Sequence, residues 1–184
     1  RIKYTALYPE KRIEKIKQSL HLLELMLLVQ RAYSTTGQGL PLGADIKSKV
    51  FKSIFLDIGL MQSMSGISAT NLLAEKDLLA VYRGALAEQF VGQELLLHGG
   101  SENDRLYYWD RPKKSSNAEV DFLIARNGKI IPIEVKSGVP ARLKSMALFL
   151  QEHPHCDMGY VLYSGNIRSE PKFKLKYMPL YTKI

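Results

Sequence analysis

Cysteine is nearly absent: Cys156 is the only one in 184 residues, which excludes an internal disulfide. A reducing cytoplasm is therefore the expected compartment. Long apolar runs are missing too. The densest stretch, "LHLLELMLLV", is broken by Glu24 and falls short of the roughly 18 apolar residues that a membrane span needs, so no membrane partner is expected. The glycines of "STTGQGLPLG" are followed by no Gly-Lys-Ser/Thr, which excludes a phosphate-binding loop. In "HPHC", His153, His155 and Cys156 invite a zinc reading, but His21 and His98 stand at no spacing that completes a tetrahedral site. The sequence opens on Arg1 and not on Met, so a fragment of a longer protein is expected.

A hydrophobic content of 46% supplies a core for one domain with an appendage. The net charge of +8 suggests an anionic partner, but the excess sits at the two ends. Residues 1–36 and 165–184 each carry +4, while 37–81 and 82–164 are each neutral. A uniformly basic face is not implied.

Residues 10–33 carry apolar side chains at helical spacing: Ile13, Ile16, Leu20, Leu23, Leu27 and Leu28. The loop "STTGQGLPLG" breaks that pattern, and "VFKSIFL" at 50–56 reads as a strand. A compact series begins at residue 82. A helix is expected over 82–97, a strand over 105–109 ("RLYYW"), a basic loop "RPKKSSNA", a hairpin, a helix over 141–152 and a strand over 158–163. The order is αβββαβ. Tyr107, Tyr108 and Trp109 are expected to pack rather than stack on bases. "KFKLKYMPLY" alternates lysine with apolar residues, as an edge strand guarded by charge would.

The hairpin, "EVDFLIARNGKIIPIEVKSG", carries the chemistry. Asn127-Gly128 is a strong two-residue turn signal between Val/Ile/Phe-rich flanks. Such a loop fixes the register, so that Arg126 faces Lys129, Ile124 faces Ile131, and Asp121 faces Glu134 across a non-hydrogen-bonded site with Cα atoms about 4.5 Å apart. Alternation puts Val120, Phe122, Ile124, Ile131, Ile133 and Val135 on one apolar face. Glu119, Asp121, Glu134 and Lys136 share the other. Facing like charges are unfavourable and call for a cation, a shared proton or water. Asp121 and Glu134 can share a divalent cation through hard oxygen ligands, which suits Mg²⁺, or Mn²⁺ in its place, and phosphate substrates. Lys136 on the same face can position an attacking water. A solvated surface charge set is the competing reading.

"YRGALAEQFVGQELL", "LYYWDR" and "AEVDFLIARNGKIIPIEVKSG" resemble the C-terminal domain of unknown function 4143 found in prokaryotic AAA-type ATPases, itself similar to the PD-(D/E)XK restriction-endonuclease-like fold. The resemblance covers about residues 50–164. It implies an α/β fold with a mixed central sheet and an αβββαβ nuclease-like core over 50–184, preceded by a helical, winged-helix-like linker over 1–49. It also implies an N-terminal ATPase domain of the same polypeptide as partner. Asp121, Glu134 and Lys136 match the nuclease-like acidic and basic positions, and Glu88 matches the acid of the first core helix. The expected function is metal-dependent hydrolysis of DNA as a deoxyribonuclease, with Arg111, Lys113 and Lys114 contacting phosphates. The alternative is a catalytically inactive module that binds nucleic acid or protein.

Overall fold

The computed structural model describes residues 2–4, 13–66, 80–99, 105–111, 117–140 and 143–184. Its strands are β1 (Ile2–Lys3), β2 (Val29–Thr35), β3 (Lys47–Phe55), β4 (Tyr107–Asp110), β5 (Glu119–Arg126), β6 (Lys129–Lys136), β7 (Gly159–Tyr163), β8 (Arg168–Glu170) and β9 (Leu175–Pro179). They form one mixed sheet in the order β1-β3-β2-β4-β5-β6-β7-β9-β8. The helices are α1 (Ile13–Leu25), α2 (Ile58–Met64), α3 (Ala80–His98) and α4 (Lys144–Glu152). The chain is thus α/β, and from α3 to β7 the elements follow the expected order. Among the described residues no helix is long and apolar enough to cross a membrane.

Three expectations need correction. The helical pattern read over 10–33 stops earlier: α1 ends at Leu25, Leu27 adopts the left-handed conformation (φ 58°), and residues 29–35 are a strand. A short apolar run does not by itself distinguish helix from buried strand, and here Val29 and Ala32 turn into the core. Second, β2 and β3 lie in the same sheet as the hairpin, so the sheet crosses residue 50, where linker and core were expected to meet. Third, the lysine-alternating segment is not an edge. β9 runs between β7 and β8, and the edge is the three-residue β8, whose "RSE" gives no strand signal.

Two apolar layers sandwich the sheet. On one face α3 lays Ala87, Val91 and Leu95 against Ile54, Tyr108, Phe122, Ile133, Val135 and Leu162. Gly92 permits the close approach, since a Cβ there would sit 2.8 Å from Ile54 Cδ1. On the other face α4 packs Met146, Phe149 and Leu150 against Trp109, Leu123, Ile130, Val161 and Tyr177. Trp109 meets Phe149 edge-on at 5.3 Å between centroids, so the strand aromatics pack as expected.

The hairpin has the predicted register. Arg126 pairs with Lys129, Ile124 with Ile131 and Phe122 with Ile133, around a turn in which Asn127 (φ 52°) and Gly128 (φ 72°) both take positive φ. Pro132, which has no N–H to donate, pairs with Leu123, and the β7 ladder starts one residue later at Ile133.

Helix α3 is fastened to β3 by side-chain amides that mimic a neighbouring strand. Gln89 Oε1 accepts from Phe55 N–H (2.9 Å), Gln89 Nε2 donates to Ser53 O (2.7 Å), and Gln93 Nε2 donates to Phe55 O (2.9 Å). Gln89 is buried, so its loss strands two backbone groups. Gln89→Ala is expected to cost about 1–3 kcal/mol in urea unfolding with an unchanged m-value.

Candidate functional site

The site is built where β5 and β6 part. Ladder pairing stops at Phe122/Ile133, one step short of Asp121 and Glu134, so these acids are not the facing pair that the register extrapolates to. The reason lies on the other side of β5. Tyr107 pairs with Leu123, but Trp109 pairs with Val120, so Asp121 and Phe122 together oppose Tyr108. This is a β-bulge, and one extra residue reverses the facing of everything beyond it. Val120 accordingly leaves the face of Phe122 and joins the core beneath α4, contrary to the single apolar face expected. The Asp121 carboxylate enters the gap, and its Oδ2 accepts the Val135 N–H at 2.8 Å.

The bulge turns Glu119 toward the α3 side, where it meets a residue that sequence reasoning passed over. Lys52 of β3 is buried, and its Nζ lies 2.6 Å from Glu119 Oε1, 2.7 Å from Glu88 Oε1 and 3.5 Å from Asp121 Oδ1. It also donates to Asp121 O at 3.3 Å and stands 5.1 Å from the Tyr108 ring centroid. Burial pulls this ammonium toward neutrality, but Asp121, Glu88 and Glu119 outweigh it and hold its pKa above the ordinary lysine value. Lys52 is charged. A signal for it exists in "VFKSIF": Lys52 alternates with Ile54, a core residue, and an inward lysine needs carboxylates.

On the opposite side of β6 from Ile133 and Val135 stands the second half of the site. Lys136 Nζ donates to Glu134 Oε1 at 2.6 Å, with Lys136 partly exposed and Glu134 buried. Burial, then the nearby Asp121 charge, raises the Glu134 carboxyl to about 7. Its Oε2 is buried and has no hydrogen-bond partner among the described residues. Burial likewise raises Glu88, and Lys52 only partly offsets it. The structure thus gives two partly buried charge sets and not a solvated surface set, Glu88, Glu119 and Asp121 around Lys52 and Glu134 with Lys136, with Asp121 bonded to Val135 N–H between them.

The donor set does not fit a resident divalent ion as arranged. Among the described residues no group of three or more His, Cys, Asp or Glu side chains is disposed to hold a metal. Asp121 is committed to Val135 N–H and Lys52, and Glu134 to Lys136. An ammonium occupies the convergence point of Glu88, Glu119 and Asp121.

Of the expected phosphate contacts, Arg111 is turned inward: Nη2 donates to Glu152 Oε1 at 2.6 Å, tying β4 to α4. Lys113 and Lys114 lie outside the described residues. Of the "HPHC" residues, His153 and Cys156 are buried and Pro154 and His155 are exposed. His153 is buried and stacked on Phe149, and desolvation raises the buried Cys156 thiol to about 11, far from a reactive thiolate.

A family model described as Domain of unknown function (DUF4143) matches residues 83–182, more than half of the chain, and the chain belongs to that family. The match takes in α3, the hairpin, α4 and β7, hence Glu88, Glu119, Asp121, Glu134 and Lys136, but not Lys52. No curated protein matches the chain.

Proposed function

Starting from that family membership, we propose that the chain is a PD-(D/E)XK-like module of an AAA-type ATPase that engages DNA without cleaving it. One observation carries the non-cleaving part: every carboxylate of the cluster that could take a metal already faces a lysine or a backbone N–H. The scaffold of a phosphodiesterase site is retained, while its cation-binding capacity is spent internally.

DNA contact is supported by what surrounds the cluster. Lys113 and Lys114 follow β4 closely in sequence and lie outside the described residues, while Arg111 N–H donates to Ala118 O at 3.0 Å. Lys136 opens to solvent at the same parting of the strands. The cations address phosphates, which attract without reading sequence. An N-terminal ATPase domain of the same polypeptide would supply the motor, and this domain would hold the substrate.

The test incubates the protein with labelled duplex, single-stranded and branched DNA in Mg²⁺ or Mn²⁺, following anisotropy and strand length together. The expected result is salt-sensitive binding with intact strands, and a salt slope shallower by about 1–2 in the Lys113→Ala/Lys114→Ala double variant. Cleavage that disappears in Lys136→Ala would replace this reading with a metal-dependent nuclease. Absence of binding to all three DNAs would remove the DNA part.

A further inference from the structure

We propose that the groove at the hairpin-turn end of the sheet, on the face that α3 packs against, holds a single strand of nucleic acid, with phosphates on Arg126, Lys176 and Lys183 and a base against Tyr160. The inference takes from the proposed function only the choice of a nucleic acid over another phosphate ligand. It goes beyond that reading by naming a second surface, at the other end of β5 and β6 from Asp121 and Glu134, and the form of nucleic acid that fits it.

Alternation along the strands builds the groove. On the α3 face the apolar row of three strands ends in a cation: Phe122 and Ile124 lead to Arg126 on β5, Ile133 and Ile131 to Lys129 on β6, and Met178 to Lys176 on β9. Between β6 and β9, β7 places Tyr160 in register with Ile133 on one side and Lys176 on the other. Lys183, beyond β9, lines the same groove. Helix α3 ends beside it at His98, whose carbonyl accepts from Arg126 Nη2 at 2.9 Å. Lys176 has no edge to guard, because β9 runs between β7 and β8. Its charge on that face calls for another reason.

The groove has a volume of about 570 Å³, within the roughly 300–1,000 Å³ of sites that take a small ligand, which suits a nucleotide unit and not a duplex. Ile131, Met158 and half-buried Tyr160 give it an apolar lining. Asp157 is the only acidic side chain there, and Lys129 engages it at 2.6 Å. Arg126 is bonded to a backbone carbonyl, and Lys176 and Lys183 have no ion pair among the described residues. Lys47, Lys52, Arg111 and Lys136 by contrast each face a carboxylate. Three cations without a neutralising acid, set around an apolar and aromatic floor, match what a single strand requires: charge along its backbone and a ring for the face of a base.

The experiment titrates the full chain with labelled oligothymidylate and with a duplex of equal length, following anisotropy over a range of salt, with Tm as the check on folding. Wild type is expected to prefer the single strand. Lys176→Ala/Lys183→Ala should keep its Tm and lower the salt slope by about 1–1.5, and Tyr160→Leu should weaken single-strand binding roughly 5-fold or more with the slope unchanged. An unchanged slope in the double lysine variant overturns the inference; if Lys113→Ala/Lys114→Ala then lowers it, the proposed DNA contact stands alone. A slope lowered by Lys176→Ala/Lys183→Ala and not by Lys113→Ala/Lys114→Ala upholds the inference and removes Lys113 and Lys114 from the DNA contact. Single strand and duplex bound alike, with no loss in Tyr160→Leu, would mean a patch for any polyanion and overturns it. Should Tyr160→Leu not fold, the wild type decides by photocross-linking to a strand carrying 5-iodouracil: a cross-link at Tyr160 upholds the inference, and cross-links only elsewhere overturn it. No binding to either DNA overturns both this inference and the proposed DNA contact.

Discussion

Lys52→Ala is expected to destabilise the protein by about 3–5 kcal/mol in urea unfolding, the largest effect of any single charge removal in the site. The variant deletes one cation and leaves Glu88, Glu119 and Asp121 facing one another where Lys52 had been in contact with all three. Each must then find a proton or water in a place that is mostly closed to water. Lys52 is buried with its ammonium over the Tyr108 and Phe122 rings, so part of the loss is the packing of its stem and ring contacts. Adding Glu88→Gln to Lys52→Ala separates the two contributions: repulsion is relieved while the missing stem is not. The double variant should be more stable than Lys52→Ala alone, which reverses the usual sum of two damaging changes and marks the pair as coupled.

Glu134→Gln is the second large effect, and it has a pH signature. Burial raises the Glu134 carboxyl from 4.5 to about 7, so folding favours its neutral form. For a raised group the associated stability is fully present below pH 4.5 and is lost as pH rises through about 7. Wild type should therefore lose stability across that window. The amide stays neutral throughout and still accepts from Lys136, so Glu134→Gln should match wild type near the bottom of the window and exceed it above the top by on the order of 2–3 kcal/mol. Glu88 is raised as well and slopes the same way in both proteins. The difference between the two stability curves, measured by urea titration at each pH, isolates Glu134. Parallel curves would mean that Glu134 titrates alike in the folded and unfolded protein.

How much of this was readable beforehand follows from the range of each interaction. The hairpin was legible in detail because its determinants are local: Asn127 and Gly128 fix the turn, and strict alternation fixes the pairing back to Phe122 and Ile133. Extrapolating one step further failed at Asp121 and Glu134. The bulge there is imposed by the register of β5 on Trp109 and Asp110, and no pattern within the hairpin reports it. Glu119 changes sides for the same reason. Lys52 lies far from the hairpin in sequence and outside the matched family segment, so only the assembled sheet brings it to Asp121. Its inward position between core residues was a local hint, and its partners were not. Glu88 was placed at the site by the resemblance, and the structure puts it there by way of Lys52 and not through a shared metal. The misassigned edge has a similar origin. A strand of three polar residues, β8, carries no periodic signal, yet it covers β9 and makes that lysine-alternating strand internal.

The cluster's chemistry thus turns on whether its cation is an ammonium or a metal. A crystal structure of the full chain grown in millimolar Mn²⁺, with anomalous scattering recorded at the manganese edge, asks that directly. The account predicts Lys52 Nζ still in contact with Glu88, Glu119 and Asp121, and no anomalous peak among them. A manganese peak between Asp121 and Glu134, with Lys52 displaced from the carboxylates, would contradict it.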